Sequence, residues 1–432
     1  MCFQRTALLA LALLAAGPIT TCFAADKLTG LTLERALHRA VTSNPKLAAA
    51  DRDIGIAAGK HIQAGAIPNP ELSFELDNAF GTESFRGFDS AEKTIGIGQL
   101  IELGGKRGAR IAAGAAELQS ARWQREATRL EILSDTAVAF FDVLGAQRKV
   151  QIFDEQITAL DRLAPLLQRR IDAGASSPGE IARVQVASDL VRAERERART
   201  ALAIARRELA VLMGSSRVDF SYVSGNLSQV GRLPAFSALL RQIDGNPQLA
   251  RWTAVRAQKD AELLSARLKS VPDLKLELAW KLIREPGEPG AGSRNNQAFR
   301  VGASIPIPVW DQNLGNVAAA REERAKVEAE RDGSRAALIL TLAKAYDSQA
   351  GALREIEVLR GSALPNARRA LDTIESGYSQ GRFALLDVLD SLGTAAQVAQ
   401  REQEALVIFH TSVATIQGLT GISLGITRVR GQ

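Results

Sequence analysis

The chain has 432 residues, of which 24% are charged and 5% aromatic, and a net charge of +6. That length would fill two or three ordinary domains, but scarce aromatics beside abundant Ala, Leu, Arg and Glu favour long helices with narrow, small-residue interfaces. The positive charge does not point to nucleic acid: Arg and Glu interleave, as in RAERERARTA over 192–201, which reads as a solvated helix face.

The first residues read as an export signal. Arg5 supplies a positive start, Ala7–Ala16 is an apolar core too short to span a bilayer, and Cys22-Phe23-Ala24 ends in a small residue suited to cleavage. Cleavage after Ala24 removes Cys2 and Cys22 together and leaves a mature chain without disulfides. The rival reading, a lipidated Cys22, has Thr21 against it. No later segment has eighteen consecutive apolar residues, so entry into a membrane would have to be by strands.

The remainder is expected to be one unit used twice. SNPKLAAADRD (Ser43–Asp53) is echoed by GNPQLARWTAV (Gly245–Val255), and PNPELSFELD (Pro68–Asp77) by VPDLKLELAW (Val271–Trp280), roughly two hundred residues apart. The first repeat covers 25–214 and the second 234–432, joined by a linker over 215–233. Each repeat opens with a helix, Leu31 to Ala66 or Pro234 to Lys269. Two strands follow, at 71–79 and 93–102, then at 272–283 and 298–309. A long helix (106–172; 313–376) comes next, on the order of 100 Å at 1.5 Å per residue. A Gly/Ser turn then reverses the chain into a helix ending near Gly214 or Gly421.

The strands are two-faced. In the second hairpin Leu274, Leu276, Leu278, Trp280 and Leu282 share one side, with Lys275, Glu277 and Lys281 opposite; Phe299, Val301, Ala303, Ile305, Ile307 and Val309 alternate in the same way. Strands of about ten residues with one apolar face suit the wall of a transmembrane barrel, which must close because no backbone group can stay unpaired in lipid. Four strands cannot close alone and eight would be filled by their own side chains. Twelve, from three chains, is the smallest multiple that leaves a lumen. The plainer alternative is a soluble hairpin packed on helices.

Gln99–Ile111 (QLIELGGKRGARI) and Ile305–Glu323 (IPIPVWDQNLGNVAAAREE), set in this plan, resemble the strand-to-helix junctions of the TolC-like outer membrane efflux proteins, and among them the heavy-metal (CzcC-type, cobalt–zinc–cadmium) branch. The resemblance covers nearly the whole mature chain. It implies a mainly α fold with a membrane β-barrel: a homotrimer with a twelve-stranded barrel in outer membrane lipid and a helical tunnel across the periplasm. It also implies a periplasmic adaptor (membrane fusion) protein and an inner-membrane resistance–nodulation–division (RND) exporter as partners. Loops Asn78–Glu92 and Arg284–Gln297 would face outward. The function implied is an exit duct, here for divalent metal cations such as cobalt, zinc or cadmium. The alternatives are a duct for organic drugs or other small molecules and, in another class, a pore-free periplasmic coiled-coil scaffold.

The resemblance assigns the periplasmic entrance to Tyr378, Asp387 and Asp390; Glu180, six residues after Gly174 as Asp387 is six after Gly381, matches Asp387 in the first repeat and is expected to add a third acidic contribution. Asp387 and Asp390 are three apart and so share a helix face; threefold symmetry would gather them into acidic rings that attract cations. Where known relatives carry a closing arginine, this chain has Phe383 beside Arg382. The small residues Gly174, Ala175, Ser176 and Ser177, with Ser379, Gln380 and Gly381, form the expected docking tips for the adaptor; ordinary turn chemistry is the alternative. His38, His61 and His410 are not spaced as a ligand set, so no metal site or cofactor is expected. No nucleophile elbow, phosphate loop or metal triad suggests an enzyme.

Overall fold

The computed structural model describes residues 30–88, 90–174, 176–285 and 294–421. The expected export signal, with Cys22, and the tip residue Ala175 lie outside them. The elements run α1 (Leu33–Ser43), α2 (Pro45–Ala64), β1 (Glu71–Asp77), β2 (Glu92–Ile101), α3 (Lys106–Asp172) and α4 (Gly179–Leu212). Then come α5 (Phe236–Ile243), α6 (Pro247–Leu268), β3 (Leu274–Glu285), β4 (Arg294–Ser304), α7 (Leu314–Val358), α8 (Leu364–Ser379) and α9 (Leu385–Thr420). The protein is therefore mainly helical, with one four-stranded antiparallel sheet in the order β1-β2-β3-β4.

Four elements depart from expectation for a backbone reason. The opening helix of each half is broken in two where an asparagine precedes a proline. Proline disfavours the helical conformation in the residue before it, and Asn44 and Asn246 are extended, at ψ 124° and 131°. The last strand stops at Ser304 rather than Val309, because Pro306 and Pro308 carry no N–H to extend a ladder. The long helix of the second half is not continuous: a π turn, Leu359–Ala363, joins α7 to α8 just ahead of Pro365.

The two asparagines do more than break helices. Asn44 Oδ1 accepts the Lys46 N–H at 2.9 Å and its Nδ2 donates to the Leu212 carbonyl at 2.8 Å. Asn246 repeats both bonds, to the Gln248 N–H and the Leu419 carbonyl, each at 2.8 Å. Each buried side chain caps a helix start (α2 or α6) and stitches it to the far end of a return helix, α4 or α9.

The sheet buries little within the chain. Leu72, Ile97, Leu278 and Val301 lie side by side across the four strands, and Phe74, Ile95, Trp280 and Phe299 form the next row. Leu72 and Val301 are both 80% exposed. The other face carries ion pairs: Lys275 with Glu71 at 2.7 Å, Arg300 with Glu277 at 2.7 Å, and Lys281 with Glu92. The edges β1 and β4 have no strand partner among the described residues.

At the sheet's lower end the first junction is braced by charge. Asp273, just before β3, accepts the Leu103 N–H at 3.1 Å and pairs with Lys106 at 2.8 Å, while Arg110 pairs with Glu102. Trp310, where β4 leaves for α7, is 96% exposed.

The helices supply the core. Phe140, Phe409, Leu209, Met213 and Ile356 interlock α3, α4, α7 and α9 with the linker residues Phe220, Val223 and Leu227. His410 is buried there, stacked on Phe141 with centroids 4.7 Å apart, its Nε2 2.9 Å from the Leu227 carbonyl. Burial holds this imidazole below its ordinary value, with Arg360 adding to the effect. The unfolded chain takes up a proton here as pH falls through about 6.5, whereas the folded chain resists it, so stability is full above that range and declines below it. His410→Gln should therefore flatten the dependence of the denaturation midpoint between about pH 7.5 and 5. An unaltered pH profile would exclude His410 as its source.

Candidate functional site

The helical hairpins α3/α4 and α8/α9 turn back beside one another at the end of α3 remote from the sheet. With 67 residues, α3 puts its tip on the order of 100 Å from β2. Leu160, Leu163 and Leu167 of α3, Val184 of α4, Tyr378 of α8 and Leu385, Val388 and Leu392 of α9 form one apolar cluster that holds the two tips together.

The turns follow helix C-terminal chemistry. Gly174 (φ 73°) and Gly381 (φ 75°) adopt the left-handed conformation that glycine reaches without penalty, and donate back to Ile171 O at 2.9 Å and Tyr378 O at 3.0 Å. Ser177 Oγ accepts the Gly179 N–H at 3.3 Å, at the start of α4, and Ser379 Oγ donates to Ser376 O at 2.7 Å. Ser177, Ser379, Gln380 and Gly381 are exposed, and Ser176 is half-buried.

The four expected gate residues divide into two groups. Tyr378 is buried inside the tip cluster, and half-buried Glu180 lies near enough to act on it. Burial first and the Glu180 carboxylate second raise the phenol above its ordinary value, against the opposing charge of Arg170. Ser176 lies close enough to favour the ionised form slightly, yet the Tyr378 hydroxyl makes no hydrogen bond of ordinary geometry. Asp387 and Asp390 sit on the exposed side of α9, away from Leu385, Val388 and Leu392. Asp387 accepts the Ala384 N–H at 2.9 Å and so also closes the start of α9; Asp390 makes no ion pair among the described residues.

Arg170 is the tip residue that sequence reasoning missed. Its Nη1 donates to the Tyr378 carbonyl at 2.5 Å and its Nε to Ser176 Oγ at 3.1 Å, and its Cζ lies 4.7 Å from the Tyr378 ring centroid. The available signal was a cation in the last turn of a helix, four residues before a turn glycine, which reads equally well as a dipole cap. Arg382 engages Gln380 within its own turn, and the Phe383 ring covers Gly377 where a side chain would otherwise sit.

Among the described residues no three His, Cys, Asp or Glu side chains converge to hold a metal ion, and no helix is long and apolar enough to cross a membrane. His38, His61 and His410 fall on three different helices.

Comparison with known proteins agrees with this architecture. The cobalt-zinc-cadmium resistance protein CzcC of Cupriavidus metallidurans is 30% identical over 391 residues, 90% of each chain. A membrane protein of Pseudomonas aeruginosa superposes with a TM-score of 0.78 at 17% identity, covering 96% of this chain and 99% of that one. CusC, described in connection with transmembrane channel formation, superposes with a TM-score of 0.76 at 15% identity, covering 90% and 92%. The family model for outer membrane efflux proteins matches twice, over residues 36–215 and 240–422. The chain belongs to the outer membrane efflux protein family.

Proposed function

We propose that this chain is the outer-membrane exit duct of a tripartite efflux pump, working as a homotrimer with a periplasmic adaptor and an inner-membrane RND exporter, and that its cargo is divalent metal cations. The observation that carries the duct is the two-faced sheet with open edges. An apolar outer row, an ion-paired inner face and unpaired β1 and β4 are stable in a bilayer only when further copies complete a barrel. The helices below it then line a tunnel. The tandem repeat, 25–214 and 234–432 about a linker at 215–233, is supported by the family model's two separate matches. The metal cargo is supported by the similarity to a cobalt-zinc-cadmium resistance protein. Selectivity for it belongs to the pump or adaptor, since the duct needs to attract cations without binding them tightly.

In this reading Asp387 and Asp390, exposed at the tip, form rings about the threefold axis, with Glu180 nearby and Tyr378 as the packing element behind them. Gly174, Ala175, Ser176, Ser177, Ser379, Gln380 and Gly381 are the surface on which adaptor hairpins dock. Asp390→Ala should raise single-channel conductance and weaken cation preference. Adding Asp387→Ala should extend the effect while costing about 1 kcal/mol of helix capping. Unchanged conductance and ion preference would remove both aspartates from the gate.

The cargo is tested by a resistance profile. A strain lacking this gene but retaining its pump should become sensitive to zinc, cobalt, cadmium or nickel, and recover when the chain is restored. Sensitivity confined to hydrophobic antibiotics would replace metals by organic cargo.

A further inference from the structure

We infer that the helical wall closes along one seam, in which α7 of a neighbouring copy lies on the outer face of α4 and brings Arg354 and Lys344 to an acidic groove formed by Asp142, Glu208 and Asp135; this rests on the homotrimer reading above. The asparagine stitches show which faces are left open. Asn44 sets α2 on the end of α4, and Asn246 sets α6 on the end of α9. The helices therefore stand as columns under the strands: α4 and α2 under β1, α3 under β2, α9 and α6 under β3, α7 and α8 under β4. Within the row α4 packs on α3, α3 on α9 and α9 on α7. It ends in α4 and α7, in the same columns as the open sheet edges β1 and β4.

Both end helices carry a second stripe opposite the buried one. On α4, Leu202 and Leu209 are buried, while Ile204 and Val211, two residues on and so about 200° round the helix, are 48% and 63% exposed. On α7, Leu342, Gln349 and Ile356 are buried, whereas Lys344 and Val358 are exposed and Gly351 has open space where a side chain would stand. Val211 also floors, with Val138 and Leu212, a groove rimmed by Asp135, Asp142 and Glu208, with Arg207 at one edge. Among the described residues these three carboxylates make no ion pair, and neither do Lys344 and Arg354. Burial first and Glu208 second raise the Asp142 carboxyl above its ordinary value; burial and then Glu131 raise Asp135, against the pull of Lys46. A cation supplied from outside the chain removes that conflict.

Height fixes the pairing. Gly145 of α3 lies against Gln403 and Val407 of α9, and the adjacent Glu402 pairs with Arg360 in the π turn after α7. Threefold rotation preserves height along the axis. Counted in turns from Arg360, Asp142 is level with Arg354 and Asp135 with Lys344, to within about one turn. Sliding α7 by about two turns would put Asp347, exposed between the two cations, against Asp142 and Glu208, so like charge excludes that register.

The test uses the full-length protein in outer membranes. Ile204→Cys with Val358→Cys in one chain should, on oxidation, give disulfide-linked trimers that survive heating without reductant, while each single variant runs as a monomer after heating. Ile204→Cys with Leu340→Cys, about five turns off level, should not link. Arg354→Glu should weaken trimer association about tenfold, since each of the three seams loses a pair and gains a repulsion, and adding Glu208→Arg should restore it. Absence of linkage in Ile204→Cys/Val358→Cys trimers that still form before heating, or linkage through Leu340→Cys as efficient as through Val358→Cys, would overturn the seam and leave the trimer standing. Parental association in Arg354→Glu, or no recovery with Glu208→Arg, would overturn the charge pairing. A parent that never forms trimers overturns the homotrimer and the seam with it.

Discussion

Val301→Arg should abolish heat-modifiable trimers in the outer membrane, whereas Gly302→Arg, one residue along, should leave them. Val301 is 80% exposed in the single chain, so in water the change would be nearly neutral, within about 0.5 kcal/mol. In a bilayer the same arginine faces lipid near mid-depth and costs about 2–4 kcal/mol in each copy. Gly302 faces the ion-paired side, opposite Glu277, where an added side chain has room and a carboxylate partner. Fractionation followed by unheated gel electrophoresis reads both variants. If Val301→Arg assembled as well as Gly302→Arg, the apolar row would not face lipid.

The second large effect is expected at the paired asparagines. Asn44→Ala removes a helix cap, worth about 0.5–2 kcal/mol, and a buried bond to Leu212 O, worth about 1 kcal/mol. Asn246→Ala does the same at Gln248 and Leu419. Each should lower stability by about 1.5–3 kcal/mol, and the double variant by nearly the sum, because the two share no partner. Serine in place of asparagine retains a cap acceptor but loses the amide donor to the distant carbonyl. It should recover about half of each loss. Unfolding free energies from denaturant titration that change by less than about 0.5 kcal/mol would show that the stitches do not hold the return helices.

These two results separate what was legible in the chain from what was not. Strand faces repeat every two residues, and a row such as Leu274 to Leu282 declares its face without tertiary context. The limits of α3 follow from Gly105 before it and Gly174 after it, both at positive φ. The asparagine stitches were half legible: the Asn-Pro pair marks a break, yet the carbonyl reached by Nδ2 lies on a helix 168 residues away. Pro306 and Pro308 should have shortened β4, but the alternation of Ile305, Ile307 and Val309 was strong enough to mask them. Asp387 and Asp390 were legible as a helical pair, whereas the cap made by Asp387 depends on the turn that delivers Ala384 to it. Arg170 was out of reach, because its partner Tyr378 is 208 residues distant and is met through its carbonyl and ring face.

The central claim is that three copies of this chain form a duct through the outer membrane, and reconstitution tests it most directly. Protein extracted from outer membranes should run as an SDS-resistant trimer before heating and as a monomer after. In planar bilayers it should give small, cation-preferring channels that enlarge when Asp390 is replaced. A monomer recovered from the periplasmic fraction, with no conductance at any protein concentration, would contradict the account and leave a coiled-coil scaffold in its place.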